Sequence, residues 1–137
     1  MNFLADTSAL IHAWRSTKGA LGFRDLLARN DVRLADPVQL ELLRGARSPA
    51  AAERLAQTLG AALRVPVRAA AWTLAQDTLL DLTQLRGGRH RGVSIADLLV
   101  AAVAVDYGLT VLHRDRDFDL IASVTGQPVQ WFGARPA

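Results

Sequence analysis

SIADLLVAAVAVDYGLTVLHRDRDFDLIA, residues 94–122, decides the fold. Ser94 and Asp97 have the spacing of a capping box, with Asp where Glu or Gln is more usual, so they open a helix. Gly108 is the kind of residue that closes one. Between them IADLLVAAVAV is apolar almost all round, which predicts a helix buried on every side. The segment LTVLH at 109–113 follows at once and reads as a short strand.

Working outward, the segments 2–5, 32–35, 63–67 and 129–132 have the same strand character, with helix-compatible stretches between most of them. Strands alternating with helices argue an α/β fold with a mainly parallel central sheet of about five strands, flanked by helices. Pro66 cannot donate to a sheet ladder, so the segment 63–67 belongs at an edge. Asp36-Pro37 suggests an N-cap acceptor followed by proline at the first helical position, opening a helix to about residue 43 with Gly45 near its end. The longest helical pattern covers 68–86. Its Thr73, Asp77, Asp81 and Gln84 form one polar stripe, read as the solvated face of an otherwise apolar helix rather than as a metal site. A loop is expected at 87–92, where three glycines and two arginines surround His90.

Composition narrows the function classes. A chain of 137 residues, 50% apolar, suits a single domain spanning 1–137 with one real core. There is no cysteine, which removes disulfides and thiolate metal sites, and His12, His90 and His113 are too scattered for a zinc motif. A reducing compartment fits, and a cytoplasmic location is expected. The first ten residues carry an acid at position 6 and no basic flank, unlike a secretory signal. The longest clean apolar run, 98–105, is far short of the roughly 18 residues of a membrane span, so no membrane association is expected. Net charge is +3, carried by fifteen arginines against the single Lys18. That balance favours an anionic partner such as nucleic acid, although a coding bias would give the same arginine excess.

The acids are where chemistry gathers. Asp6 directly follows the first strand, and Asp115 lies two residues beyond LTVLH with Asp117 after it. Ligands in open α/β sheets collect at the carboxyl ends of the strands, so these are functional addresses. Asp97 sits in the first turn of the buried helix, and Glu41 sits among Leu40, Leu42 and Leu43 at the margin of a core. Each has a plain structural reading as well: Asp6, Asp97 and Asp115 or Asp117 as helix caps, Glu41 as a partner for Arg44. Together they converge on one sheet edge, where like charges raise one another's pKa unless a cation lies among them. Ligation by oxygen alone selects a hard ion, Mg²⁺ or Mn²⁺, of the kind that serves phosphodiester hydrolysis.

FLADTSAL at 3–10, ELLRG around Glu41, SIADLLVAA around Asp97 and TVLHRDRDFDLIA around Asp115 together resemble the PIN-domain ribonucleases, and within them the VapC-type toxins of bacterial toxin–antitoxin pairs. The resemblance runs through nearly the whole chain in order and spacing. It implies a PIN-like fold and an RNA-cleaving enzyme that uses Mg²⁺ or Mn²⁺. By position it implies that Asp6, Glu41, Asp97 and Asp115 form the acidic quartet, with Asp117 a fifth acid beside the metal and Thr7 or Ser8 a hydroxyl supporting the first aspartate. It also implies a homodimer and a small VapB-type antitoxin that masks the site. Residues 50–91 carry no motif of the family, and partner and RNA specificity are expected to vary there.

Arg86, Arg89 and Arg91 surround the glycine-rich loop that leads to the helix of Asp97, and could either grip RNA phosphates or belong to a solvated linker. His12, Trp14, Trp72, His113 and Trp131 are expected in the core or at an interface rather than in catalysis or base stacking. Two rivals compete with the nuclease. A phospho-receiver-like signalling domain shares the length, the sheet and an acidic Mg²⁺ pocket, but needs a lysine after a late strand and adjacent acids after the first. A catalytically silent PIN-like interaction module would keep the fold without the activity.

Overall fold

The computed structural model describes residues 2–136. Among the described residues there are five strands: β1 Phe3–Ala5, β2 Val32–Ala35, β3 Leu63–Val65, β4 Thr110–His113 and β5 Val129–Trp131. The helices are α1 Thr7–Arg15, α2 Thr17–Ala28, α3 Asp36–Arg44, α4 Pro49–Gly60, α5 Ala69–Thr83, α6 Ile95–Tyr107 and α7 Arg116–Thr125. Every strand pairing is parallel, in the order β3-β2-β1-β4-β5. The sheet is therefore wholly rather than mainly parallel, and β3 is at its edge as Pro66 requires.

This order has a functional consequence. The chain builds outward from β1 through β2 to β3, then returns to lay β4 on the other side of β1. Connections leave β1 and β4 in opposite directions, so a crevice opens beyond their carboxyl ends, the usual ligand position in such sheets. Ala5 is in register with Leu112, and the Asp6 N–H donates to the Leu112 carbonyl at 2.9 Å. The residues after the two central strands thus start side by side.

Helix α6 behaves as its pattern predicts. Residues Asp97 through Ala104 are all buried, and Gly108 ends the helix with φ 68°, a left-handed conformation that a side chain would strain. Because Gly108 leads directly into β4, the start of α6 is returned to the carboxyl edge of the sheet. The polar stripe on α5 is solvated, with Thr73, Asp77, Asp81 and Gln84 all exposed.

Several local expectations need correction. Helix α3 starts one residue early: Ala35 is its N-cap, no side chain caps it, and Asp36 lies inside the first turn. The Asp36 carboxylate is instead occupied by the Arg64 guanidinium on the neighbouring strand β3. The serine–proline pair at 48–49 does what Asp36-Pro37 was expected to do, with Ser48 Oγ accepting from the Ala51 N–H at 3.1 Å. The 68–86 helix ends at Thr83, and the loop beyond it is wound into a 3₁₀ segment over Arg86–Gly92, kinked where Gly87 and Gly88 take positive φ. Trp14 and Trp72 are half-exposed, so of the core or interface expected for them only an interface remains.

Candidate metal centre

The carboxyl edge of the sheet holds a cleft of about 340 Å³ lined by Asp6, Thr7, Ser8, Ile11, Glu41, Ser94, Asp97, Asp115 and Asp117. All five acids singled out in the sequence lie in it. Four segments far apart in the chain supply them: the β1–α1 junction, the second turn of α3, the first turn of α6, and the junction of β4 with α7.

Each acid is positioned by bonds that the local sequence dictates. Asp6 caps α1, its Oδ2 accepting from the Ser8 N–H at 3.0 Å and from the Ser8 hydroxyl at 2.7 Å. Ser8 Oγ in turn accepts from the Arg114 N–H at 2.8 Å, bridging the first and last acid-bearing junctions. Thr7 donates its hydroxyl hydrogen to Glu41 Oε1 at 2.9 Å. Asp115 caps α7 by accepting from the Asp117 N–H at 2.9 Å. The cap of α6 uses the backbone N–H of Asp97, which donates to Ser94 Oγ at 3.0 Å. That limb of the box leaves the Asp97 carboxylate free of capping duty. Capping by Asp6 and Asp115 and membership of the cluster are therefore compatible, whereas the ion pair considered for Glu41 with Arg44 is not formed among the described residues.

Electrostatics sets the cluster apart from ordinary surface acids. Asp6 and Asp97 are only 3% and 7% exposed. Burial pushes the Asp97 carboxyl up to about 7, with Asp6, Asp115, Glu41 and Asp117 adding repulsion. Burial also raises Asp6, against the opposing hydrogen bonds from Ser8 and Thr7, and the charge of Glu41 raises it further. Asp117 is raised by burial and by Asp115.

Two triads have ligand oxygens all within 4.8 Å of one another: Asp6, Glu41 and Asp97, and Asp97, Asp115 and Asp117. Asp97 is common to both. Asp6 Oδ1 is buried without a hydrogen-bond partner among the described residues, an expensive state for a carboxylate oxygen unless something outside the chain meets it. A donor set of carboxylates with one orphaned oxygen fits a hard divalent cation.

The basic residues are arranged differently. Arg86, Arg89 and Arg91 are exposed on the 3₁₀ segment and do not line the acidic cleft. His113 is wholly buried against Phe118 and Trp131, and His12 packs edge-on against Phe132 with centroids 5.6 Å apart. The hydrogen bonds of Thr7 and Ser8 across the cleft had no signal in the spacing of residues, since each joins elements that only the fold brings together.

Comparison with known proteins agrees with this geometry. Residues 3–124 match the model of the family described as PIN domain. Ribonuclease VapC18 of Mycobacterium tuberculosis is 38% identical over 135 residues, covering 98% of each chain. In fold the chain is similar to VapBC2 from Rickettsia felis, solved bound to a DNA fragment, with a TM-score of 0.77 and 15% identity over 97% of this chain and 100% of that one. It is similar also to VapBC-5 from Mycobacterium tuberculosis, a member of the VapBC family of toxin–antitoxin systems, with a TM-score of 0.63 and 21% identity over 97% and 98% of the two chains. The family match spans all four acid-bearing segments of the cleft, and with a relative matched along nearly its whole length it makes this chain a member of the PIN-domain family.

Proposed function

We propose that this chain is a Mg²⁺- or Mn²⁺-dependent endoribonuclease of the VapC type, which hydrolyses RNA phosphodiester bonds at the acidic cleft and is restrained by a VapB-type antitoxin. The observation that carries the reading is the meeting of two carboxylate triads at Asp97, beside the unpartnered Asp6 Oδ1. Asp6, Glu41, Asp97 and Asp115 form the working quartet, and Asp117 is a fifth donor. A divalent ion bound there would acidify a water and offset the negative charge that builds on the phosphate. Thr7 holds one oxygen of Glu41, and Ser8 holds one oxygen of Asp6, so each carboxylate is oriented with its other oxygen left to the cleft. Asp97 lies between the triads and is the acid whose charge most needs a cation.

The ribonuclease named among the relatives supports RNA as substrate, and the VapBC neighbours support an antitoxin partner. Exposed Leu40, Trp72 and Ile95 border an apolar cleft of about 480 Å³, and exposed Trp14, Leu27 and Leu63 border another of about 300 Å³. Contiguous apolar surface of this kind supports association with a partner and with a second copy as a homodimer. The proposed activity belongs in the cytoplasm, where its RNA is. The receiver-like reading is disfavoured by the sheet order, which departs from the 2-1-3-4-5 order of flavodoxin-like folds.

The test is RNA cleavage by the purified chain with Mn²⁺, with Mg²⁺ and with excess chelator. Cleavage that needs the metal supports the reading. Cleavage indifferent to chelator removes the metal from it, and a folded chain inert with both ions is the silent module.

A further inference from the structure

His113 has no part in the function just proposed, yet its placement is unusual for a residue that only fills space. It ends β4, is 0% exposed, and lies with its ring centroid 5.2 Å from Phe118 and 5.5 Å from Trp131. An apolar ring would occupy the same volume without the cost of burying two nitrogens. Among the described residues the imidazole makes one hydrogen bond: its Nδ1 accepts from the backbone N–H of Asp115 at 3.2 Å. An accepting nitrogen carries no proton, so the proton of the neutral ring is on Nε2. Nε2 is buried with no hydrogen-bond partner among the described residues; Asp119 Oδ1, 3.7 Å away, is beyond hydrogen-bond reach, and both Asp119 oxygens are taken by Arg135 at 3.1 and 3.0 Å. Arg135 itself lies over Trp131, 4.5 Å from the ring centroid.

The effect is a clamp on the chain just after β4. The Arg114 N–H is taken by Ser8 Oγ and the next amide, that of Asp115, is taken by His113 Nδ1. Two consecutive amides outside the sheet ladder are thus each fixed by a side chain, at the residue whose carboxylate belongs to a triad with Asp97 and Asp117.

We propose that His113 is a positioning residue of the metal centre, with Nδ1 fixing the backbone from which the Asp115 carboxylate reaches the ion and the packing of Phe118 and Trp131 holding the ring in place. This rests on the reading that the acids bind a divalent ion. Groups that orient a ligand without touching the metal typically change its affinity by about 10- to 100-fold.

Two substitutions separate positioning from packing. His113→Phe keeps an aromatic ring between Phe118 and Trp131 but has no acceptor. His113→Asn loses volume but can place its Oδ1 where Nδ1 stood. Mn²⁺ titration calorimetry and melting without metal are compared for both, with wild type and Asp97→Asn as references. Positioning predicts that His113→Phe weakens Mn²⁺ binding about tenfold or more, while His113→Asn stays close to wild type in affinity despite melting lower. Wild-type Mn²⁺ affinity in a folded His113→Phe overturns the proposal. Wild type binding no Mn²⁺, or binding it no better than Asp97→Asn, overturns the metal reading and the proposal with it. Should His113→Phe not fold, long-range ¹H–¹⁵N spectra of the metal-free wild type still decide: a ring protonated on Nε2 alone supports the proposal, and a proton on Nδ1 overturns it.

Discussion

Thr7 Oγ1 donates a 2.9 Å hydrogen bond to Glu41 Oε1, joining the start of α1 to the second turn of α3 across thirty-four positions of sequence. The bond fixes an acid borne by the second turn of a helix rather than by a strand end. Thr7→Val keeps the branched shape and removes only the hydroxyl, so Mn²⁺ affinity should fall by about 10- to 100-fold. Stability without metal should change by no more than about 1.5 kcal/mol, the net worth of one such bond. Calorimetric titration and thermal melting read the two effects separately, and Thr7→Ser should recover most of the affinity. Equal Mn²⁺ affinity in Thr7→Val would mean that Glu41 needs no orientation.

Asp97 gives the metal-free protein a defined pH dependence. Its carboxyl is raised to about 7 in the folded chain from an ordinary value near 3.8. Between those values the folded chain holds a proton that the unfolded chain has released, so this group's contribution is fully present below about 3.8 and is lost progressively as pH rises from there through about 7. His113 is lowered by burial and acts oppositely just below its ordinary value of 6.5, where the unfolded chain holds the extra proton. The two are separated by the Asp97→Asn variant. In chelator, raising the pH from 5.5 to 8 should lower the wild-type melting temperature relative to that of the variant. Saturating Mn²⁺ should reverse the trend for wild type alone, since ions bind the ionised cluster. Parallel melting curves for the two proteins across that range would leave Asp97 outside the cluster's electrostatics.

The arginines at 86, 89 and 91 are exposed on a segment kinked by Gly87 and Gly88 that leads to the α6 cap Ser94, which lines the cleft, although the arginines themselves do not. If they hold RNA phosphates, replacing all three with Ala weakens binding and flattens its salt dependence by about 2 in log–log slope, about 0.7 for each single-strand phosphate that is no longer neutralised. Fluorescence anisotropy with a labelled single-stranded RNA at several salt concentrations measures it. An unchanged slope leaves the segment a linker.

Much of the frame was legible because local chemistry and tertiary demand agree there. The pattern 94–113 states a cap, a buried helix, a glycine stop and a short strand, and each is present. Pro66 alone placed a strand at the sheet edge. The convergence of the acids followed from parallel strands delivering Asp6 and Asp115 to one edge, with α6 returning Asp97 to it. What stayed hidden depends on partners distant in sequence. Asp36 has the residue type and the following proline of an N-cap, but an arginine on β3 claims its carboxylate and the helix starts elsewhere. The break between α1 and α2 turns on Ser16 accepting from the Gly19 N–H at 2.9 Å, a serine cap within one helix-compatible stretch. Trp14 and Trp72 suit a core or an interface by type, and no periodicity says that the faces carrying them are left uncovered.

The central relationship is that of the Asp97 carboxylate to the cation, and single-turnover RNA cleavage by wild type and Asp97→Asn at equal Mn²⁺, alongside their melting temperatures, tests it most directly. Asn keeps the volume, and the cap of α6 is made by the backbone N–H of residue 97 donating to Ser94, so the fold should survive the change. The variant should melt at or above the metal-free wild type, fail to gain stability with Mn²⁺, and cleave RNA at least about 100-fold more slowly, a loss of roughly 3 kcal/mol of transition-state stabilisation. A variant that melts normally and cleaves at the wild-type rate would contradict the metal centre, and would leave position 97 with nothing more than the first turn of a buried helix.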